Sequence, residues 1–441
     1  MNWTSEQILG LAPDASSAKA GQGLAAARHW QTLGCDERAV WGLCQGSGKN
    51  PYQTQIDLSE PGFKCSCPSR KFPCKHALGL FLLLASHRQS FTEKTAPDWV
   101  SEWLVSRAKR AEQKSEKQQA REKPVDETAQ AKRAAAREAK VAAGIQELEL
   151  WLRDLIRNGL AAAQTQSPQF WERMAARLVD AQAPGLARLV RELGGAAHSG
   201  EGWQTRLLER AGKLHLLLAA YKRIDELPEE NQADVRALIG WTVNQEDLLA
   251  QSEAQPGARD KWLVIGQRIE QEERLRVQRN WLWGENSNHI ALILHFAHGQ
   301  QPLDASLVVG TAFEAELVFF PGTISFRALI KERQAAIAHF DFWPGMERVK
   351  DAFENYSAAI AKMPWLEIFP LPLTGVIPVL RNGVWSLRDD ESCALPIHPR
   401  FEHGWELLAL SGGRPITVFG EWDGNFLWPL SVLAEERLVR M

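Results

Sequence analysis

The sequence predicts an α+β protein of several domains: a small head, a charged and partly helical linker, an all-helical middle domain and a β-rich C-terminal domain. Three observations predict this class. The length of 441 residues allows about three domains. Apolar residues follow a helical spacing in the middle of the chain, whereas the last third has short β-like runs separated by Gly and Pro. The predicted boundaries are 1–106, 107–140, 141–250 and 251–441.

The head contains two predicted strands followed by a helix, a ββα order. Residues alternate in polarity over 39–43 and again over 52–58, and the Gly-rich segment 46–50 between these runs is typical of a hairpin turn. An apolar helix is predicted from about 75 to 87, so the ββα unit covers about 39–87. Another helix begins at Pro97 or Asp98, and its apolar stripe ends after Val105.

The linker differs from the rest of the chain in charge. Residues 107–140 carry a net charge of +5, against +1 for the head and -9 for residues 141–441. Helix-forming residues dominate this segment, almost nothing in it can be buried, and Pro124 interrupts it. We interpret it as a solvated, partly helical connector; a basic arm for nucleic acid is the alternative.

Helical spacing returns at Ile145 and continues through Leu148, Leu152 and Leu155. Further helical stretches are predicted at 171–179, 185–193, 203–224 and 233–241. β-like runs begin near Lys261 and include 306–311 and 405–411, with one helix predicted at about 345–362.

The strongest chemical pattern is Cys65, Cys67, Cys74 and His76. Three thiols and one imidazole within twelve positions match a tetrahedral Cys3His zinc site. Pro68 turns the chain, and Cys74 stands at the mouth of the next helix, whose N-terminus stabilises a thiolate. A disulfide between Cys65 and Cys67 would close a very small, strained ring. Because all four positions are filled by protein, we predict one structural zinc ion and no catalytic one.

This CxC and CxH spacing, with two strands before it and a helix after it, resembles the SWIM zinc finger family. The resemblance implies that the four residues named above are the ligands, that the head is a small ββα fold stapled by zinc, and that the finger binds DNA or protein. The order of finger, charged linker and long body also resembles bacterial SWIM finger proteins. Those are often encoded near a MoxR-type AAA+ ATPase and a von Willebrand A-domain protein, which implies an ATPase complex as partner.

Two functions fit these features. In the first, the chain is a non-catalytic adaptor whose head docks a protein partner. In the second, the head binds nucleic acid through four cations, with help from the linker. These cations are Lys64, Arg70, Lys71 and Lys75. Because the whole chain is mildly acidic, with a formal net charge of -3, the protein partner is favoured.

The remaining patterns exclude other classes. The longest apolar run, 77–85, is far shorter than the roughly 18 residues of a membrane span, and the N-terminus lacks the basic and apolar regions of a secretory signal. We therefore expect a soluble, cytoplasmic protein that has no contact with membranes. No motif predicts a catalytic residue or a second cofactor. Cys35, Cys44 and Cys393 are expected to be packed, and residues 389–391 to form a solvated turn.

Overall fold

A computed structural model describes residues 3–9, 11–13, 15–46, 50–58, 62–69, 71–93, 95–119, 127–254, 257–272, 275–298, 301, 303–337, 343–434 and 437–441. Its helices are α1 (Ser5–Leu9), α2 (Ala15–Gln22), α3 (Lys75–Ser86), α4 (Asp98–Gln119), α5 (Glu127–Arg157), α6 (Leu160–Gln164), α7 (Pro168–Asp180), α8 (Pro184–Ala197), α9 (Trp203–Lys222), α10 (Glu229–Ile239), α11 (Gln245–Ala254), α12 (Val349–Lys362) and α13 (Gly404–Ser411). Its strands are β1 (Trp30–Cys35), β2 (Ala39–Cys44), β3 (Tyr52–Asp57), β4 (Gly62–Cys65), β5 (Thr92–Glu93), β6 (Ala258–Glu272), β7 (Leu275–Gly284), β8 (Ile290–His298), β9 (Ala312–Phe319), β10 (Ala328–Ile337), β11 (Phe369–Arg381), β12 (Val384–Arg388), β13 (Ala394–Pro396), β14 (Ile416–Trp422), β15 (Leu427–Ala434) and β16 (Arg437–Arg440).

The head is a sheet covered by helix α3. The strand order is β4-β3-β2-β1-β5, antiparallel except for β5, which runs parallel to β1. Strands β2 and β3 correspond to the two that the sequence predicts. The other three are additional: β4 and β5 are only four and two residues long, and buried and exposed residues do not alternate along β1. Leu78 and Phe81 of α3 pack on Ile56 and Phe63 of the sheet.

Helix α4 is attached to the head by its first three turns. Val100 and Leu104 are buried against Trp41 of β2. Beyond them, the Arg107 guanidinium forms an ion pair of 3.2 Å with the buried Asp57 of β3. A Cβ at Gly62 would lie 2.3 Å from this guanidinium, so any other residue there would require the Arg107 side chain to move. The first residue of the predicted linker therefore contacts the head, and α4 continues to Gln119.

The middle of the chain is a bundle in which α5 packs on α7 and α9, and α8 on α7, α9 and α10. Its buried core draws on all of these helices, with Leu148, Leu178, Val190 and Leu214 among the fully buried residues. The bundle is closely packed where α8 passes the end of α10. A Cβ at Gly185 would lie 2.0 Å from the Leu238 carbonyl oxygen, so glycine is required there.

The C-terminal domain contains two antiparallel sheets, ordered β10-β9-β6-β7-β8 and β13-β12-β11-β14-β15-β16. Leu263 and Ile265 of the first sheet pack with Phe419 and Leu430 of the second. Their contact also contains a buried carboxylate, Glu421, only 2% exposed.

Glu421 joins the two sheets through four hydrogen bonds. Arg268 and Arg279 of the first sheet donate to its oxygens at 2.8–3.1 Å, and the Trp281 indole donates at 2.9 Å. Burial lowers the pKa of Arg279, but the carboxylates beside it outweigh burial, and the net shift is upward. Arg279 therefore stays charged, and both guanidinium groups are compensated by Glu421 together with Glu270, which lies 2.7 Å from each of them.

Two expectations for this domain were wrong, and the solvated turn expected at residues 389–391 holds for Asp390 and Glu391 but not for Asp389. Residues 405–411 lie in helix α13, since a short apolar run does not distinguish a buried helix from a strand. Residues 306–311 form no strand, although Leu307 and Val308 are buried. Asp389 is buried, because it accepts the backbone N–H of Val349 at 2.9 Å and so binds the first turn of α12.

Among the described residues, contacts between the bundle and the C-terminal domain include those of Trp365 and Asp234. The Trp365 indole donates to the Lys213 carbonyl at 2.8 Å. On α10, the buried Asp234 accepts the backbone N–H of Thr323 at 3.0 Å and its hydroxyl at 2.5 Å. A Cβ at Gly322 would lie 2.5 Å from the same carboxylate, so this turn approaches α10 closely.

Candidate metal centre

The four predicted ligands come from the end of one strand and the start of one helix. Cys65 is the last residue of β4, and pairing with Thr54 of β3 fixes its position. Cys67 follows in the connecting loop. Cys74 has extended backbone angles and directly precedes α3, and His76 is the second residue of that helix. Local structure therefore brings together residues that are as many as eleven positions apart.

The donor atoms are spaced as zinc requires. The three Sγ atoms and the imidazole nitrogen lie within 4.8 Å of one another. The His76 Nδ1 is 3.8 Å from the Cys65 Sγ and 4.0 Å from the Cys74 Sγ. A tetrahedron with Zn–S near 2.3 Å and Zn–N near 2.0–2.1 Å has edges of roughly 3.6–3.8 Å. All three cysteines are free thiols, so each sulfur can ligate.

Hydrogen bonds around the cluster favour sulfur in its charged form. The Thr54 hydroxyl lies 3.2 Å from the Cys65 Sγ, and the Cys67 backbone N–H donates to the same sulfur. The Ser69 N–H donates to Cys67, and the Ala77 N–H, in the first turn of α3, donates to Cys74. Such partners orient ligands and tune the metal.

The pKa values of the three thiols are shifted in different directions. The pKa of Cys65 is lowered to about 4, chiefly because the Cys74 thiol donates a hydrogen bond to its sulfur. The pKa of Cys74 is raised because its proton is held in that bond, and burial adds to the effect. Burial is the main reason that the pKa of Cys67 is raised. Without metal, the cluster therefore carries one thiolate and two thiols near neutral pH, and zinc displaces about two protons.

Cys44 is close to the cluster but is not part of it. It lies on β2 opposite Tyr52, whose ring is 5.0 Å from the His76 ring. Burial, with a contribution from the charge of Cys65, raises the pKa of Cys44 to about 11, so this thiol stays neutral. Cys44 and Cys35 are buried as expected, whereas Cys393 is exposed and its predicted packing was wrong.

The predicted contact cations surround the site unevenly. Lys64, Lys71 and Lys75 are exposed, and Lys64 and Lys71 line a cavity of about 170 Å³ beside the ligands. Arg70 lies outside the residues that the structure describes. The three thiolates and the zinc ion sum to -1, so these lysines partly neutralise the centre.

Sequence reasoning missed Phe72, which also lines this cavity. Its side chain is 42% exposed, although its ring contacts the buried Phe63 edge-on at 6.0 Å. A large apolar residue between Lys71 and Pro73 in a metal-binding loop was the signal available in the sequence.

Strands, four convergent donors and a helix define a zinc finger with a closed Cys3His site. Comparison with protein families agrees: residues 52–85 match the SWIM zinc finger, and residues 136–239 match the SWIM-associated four-helix bundle domain. The chain therefore contains a SWIM zinc finger, as its CxC and CxH spacing predicts, and the finger holds one structural zinc ion.

Two further comparisons gave no match, since neither a curated protein nor a solved structure is significantly similar to the chain. Among the described helices, none is long and apolar enough to cross a membrane.

Proposed function

We propose that this protein is a non-catalytic adaptor whose zinc finger docks a protein partner. The observation that carries the proposal is Phe72, an exposed aromatic side chain beside a small cavity on a metal-stapled loop. Aromatic side chains held rigidly next to a pocket are the residues that dominate binding energy in protein interfaces. The zinc site supports a structural role because its four protein ligands leave no position for water or substrate.

The size and charge of this surface define the partner. The cavity of about 170 Å³ is lined in part by three zinc ligands, and the space beside the ion is smaller than the roughly 300–1,000 Å³ of small-molecule sites. It suits the edge of one apolar side chain of a partner protein that packs on Phe72. Lys64 and Lys71 at its rim favour acidic residues next to that side chain. The resemblance to bacterial SWIM finger proteins makes a MoxR-type AAA+ ATPase complex the first partner to test, in the cytoplasm.

DNA binding by the finger is the second candidate, because the same surface combines exposed lysines with an aromatic ring. Phosphate contacts make affinity fall with salt, with a log–log slope near -0.9 for each phosphate contacted on duplex DNA. Apolar docking by Phe72 depends much less on salt.

The test measures binding of the purified full-length chain to the purified ATPase. We expect Phe72→Ala to weaken binding about 30-fold, the effect of losing an interface residue worth about 2 kcal/mol. Phe296→Ala is the matched control, since Phe296 is a 50% exposed phenylalanine of the C-terminal domain. Zinc content is measured in each variant to show that the finger is intact.

The same proteins are then titrated with random duplex DNA over a salt series. Submicromolar binding at physiological salt, with a slope flattened by Lys64→Glu/Lys71→Glu, would favour the DNA-binding alternative. Equal losses of ATPase binding in the Phe72 and Phe296 variants would refute docking at Phe72.

A further inference from the structure

A groove of about 580 Å³ lies on the helical bundle, far from the finger in sequence. We call it the α5 groove. One wall is the N-terminal half of α5, with Arg133, Arg137 and Lys140; Gln182 of the α7–α8 turn and Trp241, just after α10, complete it. None of these residues contributes to the zinc site.

The sequence places the cations of this groove on one helix face. Positions 133, 137 and 140 are separated by four and three residues, so their side chains lie on the same side of α5. A Cβ at Gly144 would lie 2.6 Å from the Cβ of Ala181, which shows how closely α5 approaches the α7–α8 turn. Gly240 ends α10 with φ +128, and the next residue, Trp241, stacks on Tyr221 at 6.1 Å.

The cations of the groove are not neutralised by the protein. In the described part of the chain, Arg133, Arg137 and Lys140 form no ion pair. The nearest acidic residue in sequence, Glu138, accepts a hydrogen bond of 2.6 Å from the Tyr221 hydroxyl. Like charges at i,i+3 and i,i+4 destabilise a helix, and an anionic ligand in the groove would offset this repulsion.

Trp241 adds an aromatic surface to this positive charge. The Arg137 guanidinium lies 4.8 Å from the centre of the Trp241 ring, and Arg236 lies 5.9 Å from it. Arg137 also donates to the Gly240 carbonyl at 3.0 Å, but its buried Nε has no hydrogen-bond partner among the described residues. A guanidinium that lies over an indole presents a planar cation on which a nucleobase stacks.

We propose that the α5 groove binds single-stranded nucleic acid, with a base stacked at Trp241 and Arg137 and phosphates along α5. The eight residues from Arg133 to Lys140 span about 10 Å of helix axis, which matches about three phosphates of a stacked strand and exceeds a single nucleotide. An acidic peptide satisfies the cations but offers no planar base to stack on the Arg137 guanidinium that lies over the indole. This inference goes beyond the docking of a protein at the finger and does not depend on it.

The experiment uses the full-length chain and fluorescein-labelled single-stranded DNA and RNA, with duplex DNA and polyglutamate as competing probes. We expect single strands to bind more tightly than duplex. Arg133→Glu/Lys140→Glu should weaken this binding at least about tenfold and flatten the log–log salt slope by about 1.4, since each phosphate contact on a single strand contributes about 0.7. Both residues are exposed, so the bundle tolerates the change.

Arg157→Glu makes the same charge reversal at an exposed position of α5 outside the groove and should bind like the wild type. Trp241→Leu should lose affinity that Trp241→Phe retains; if the leucine variant does not fold, the charge variants decide. Equal loss in the Arg157 control, an unchanged double variant, or binding of polyglutamate without either single strand would overturn the proposal. Because Phe72 is not altered, a negative result here leaves the finger's role unaffected.

Discussion

Replacing Thr54 by valine removes a single hydroxyl that lies 3.2 Å from the Cys65 sulfur while keeping the branched shape of a buried strand residue. Loss of a hydrogen bond to a metal ligand typically lowers metal affinity about 10- to 100-fold. The Cys65 sulfur retains the backbone N–H of Cys67, so we expect a value near the lower limit, about tenfold, or about 1.4 kcal/mol.

The assay is competition for zinc between the full-length chain and a chromophoric chelator at constant pH. Thr32→Val is the matched control because Thr32 is an exposed threonine of β1 in the same sheet. The two variants should differ about tenfold in zinc affinity. If both stay within twofold of the wild type, the hydroxyl does not support the thiolate, and the geometry of this hydrogen bond has no energetic consequence.

The contacts of the zinc cluster and of two buried carboxylates support three more predictions. Zinc binding displaces the protons of Cys67 and Cys74, because the pKa values of both thiols are raised. The dissociation constant for zinc should therefore fall about 100-fold as pH rises from about 7 to 8. Chelator competition at each pH measures this constant, and a value that does not change with pH would contradict the prediction. Glu421→Ala leaves Arg268 and Arg279 with the partly exposed Glu270 as their remaining carboxylate partner and should cost about 3 kcal/mol of unfolding free energy, measured by urea titration. A loss below about 1 kcal/mol, like that of the exposed Glu314→Ala, would show that Glu270 and water compensate the two guanidinium groups. Asp234→Ala removes both hydrogen bonds to Thr323 and should cost about 1–3 kcal/mol, and an unchanged urea midpoint would show that the bundle does not depend on this contact.

The metal centre was predictable because its information is local. Cys65 and Cys67 end a strand, Cys74 and His76 start a helix, and the spacing alone specifies four donors around one ion. The helical middle was equally accessible, since the spacing of Ile145 and the residues after it repeats over many turns.

Features that depend on distant residues were not predictable. Trp241 is about one hundred positions from Arg137, and only folding places its ring beside that guanidinium. Helix α13 was taken for a strand because its eight residues are too few for a period to emerge. Asp389 appeared to be in a solvated turn because its partner, the N–H of Val349, is forty residues away.

Helix α4 determines how far the finger extends from the C-terminal end of that helix. Arg107 and Asp57 fix its first turns to the head, and the 12 residues after Arg107 extend about 18 Å beyond this contact. A flexible chain of the same length would have a root-mean-square span of about 19 Å with a broad distribution. The end-to-end distance of the helical segment is similar to that of the flexible chain, but it varies much less. A partner bound at the finger is therefore held within a narrow range of distances from the end of α4. A second binding site within that range has a high effective concentration and raises the affinity strongly, whereas a site outside the range does not raise it.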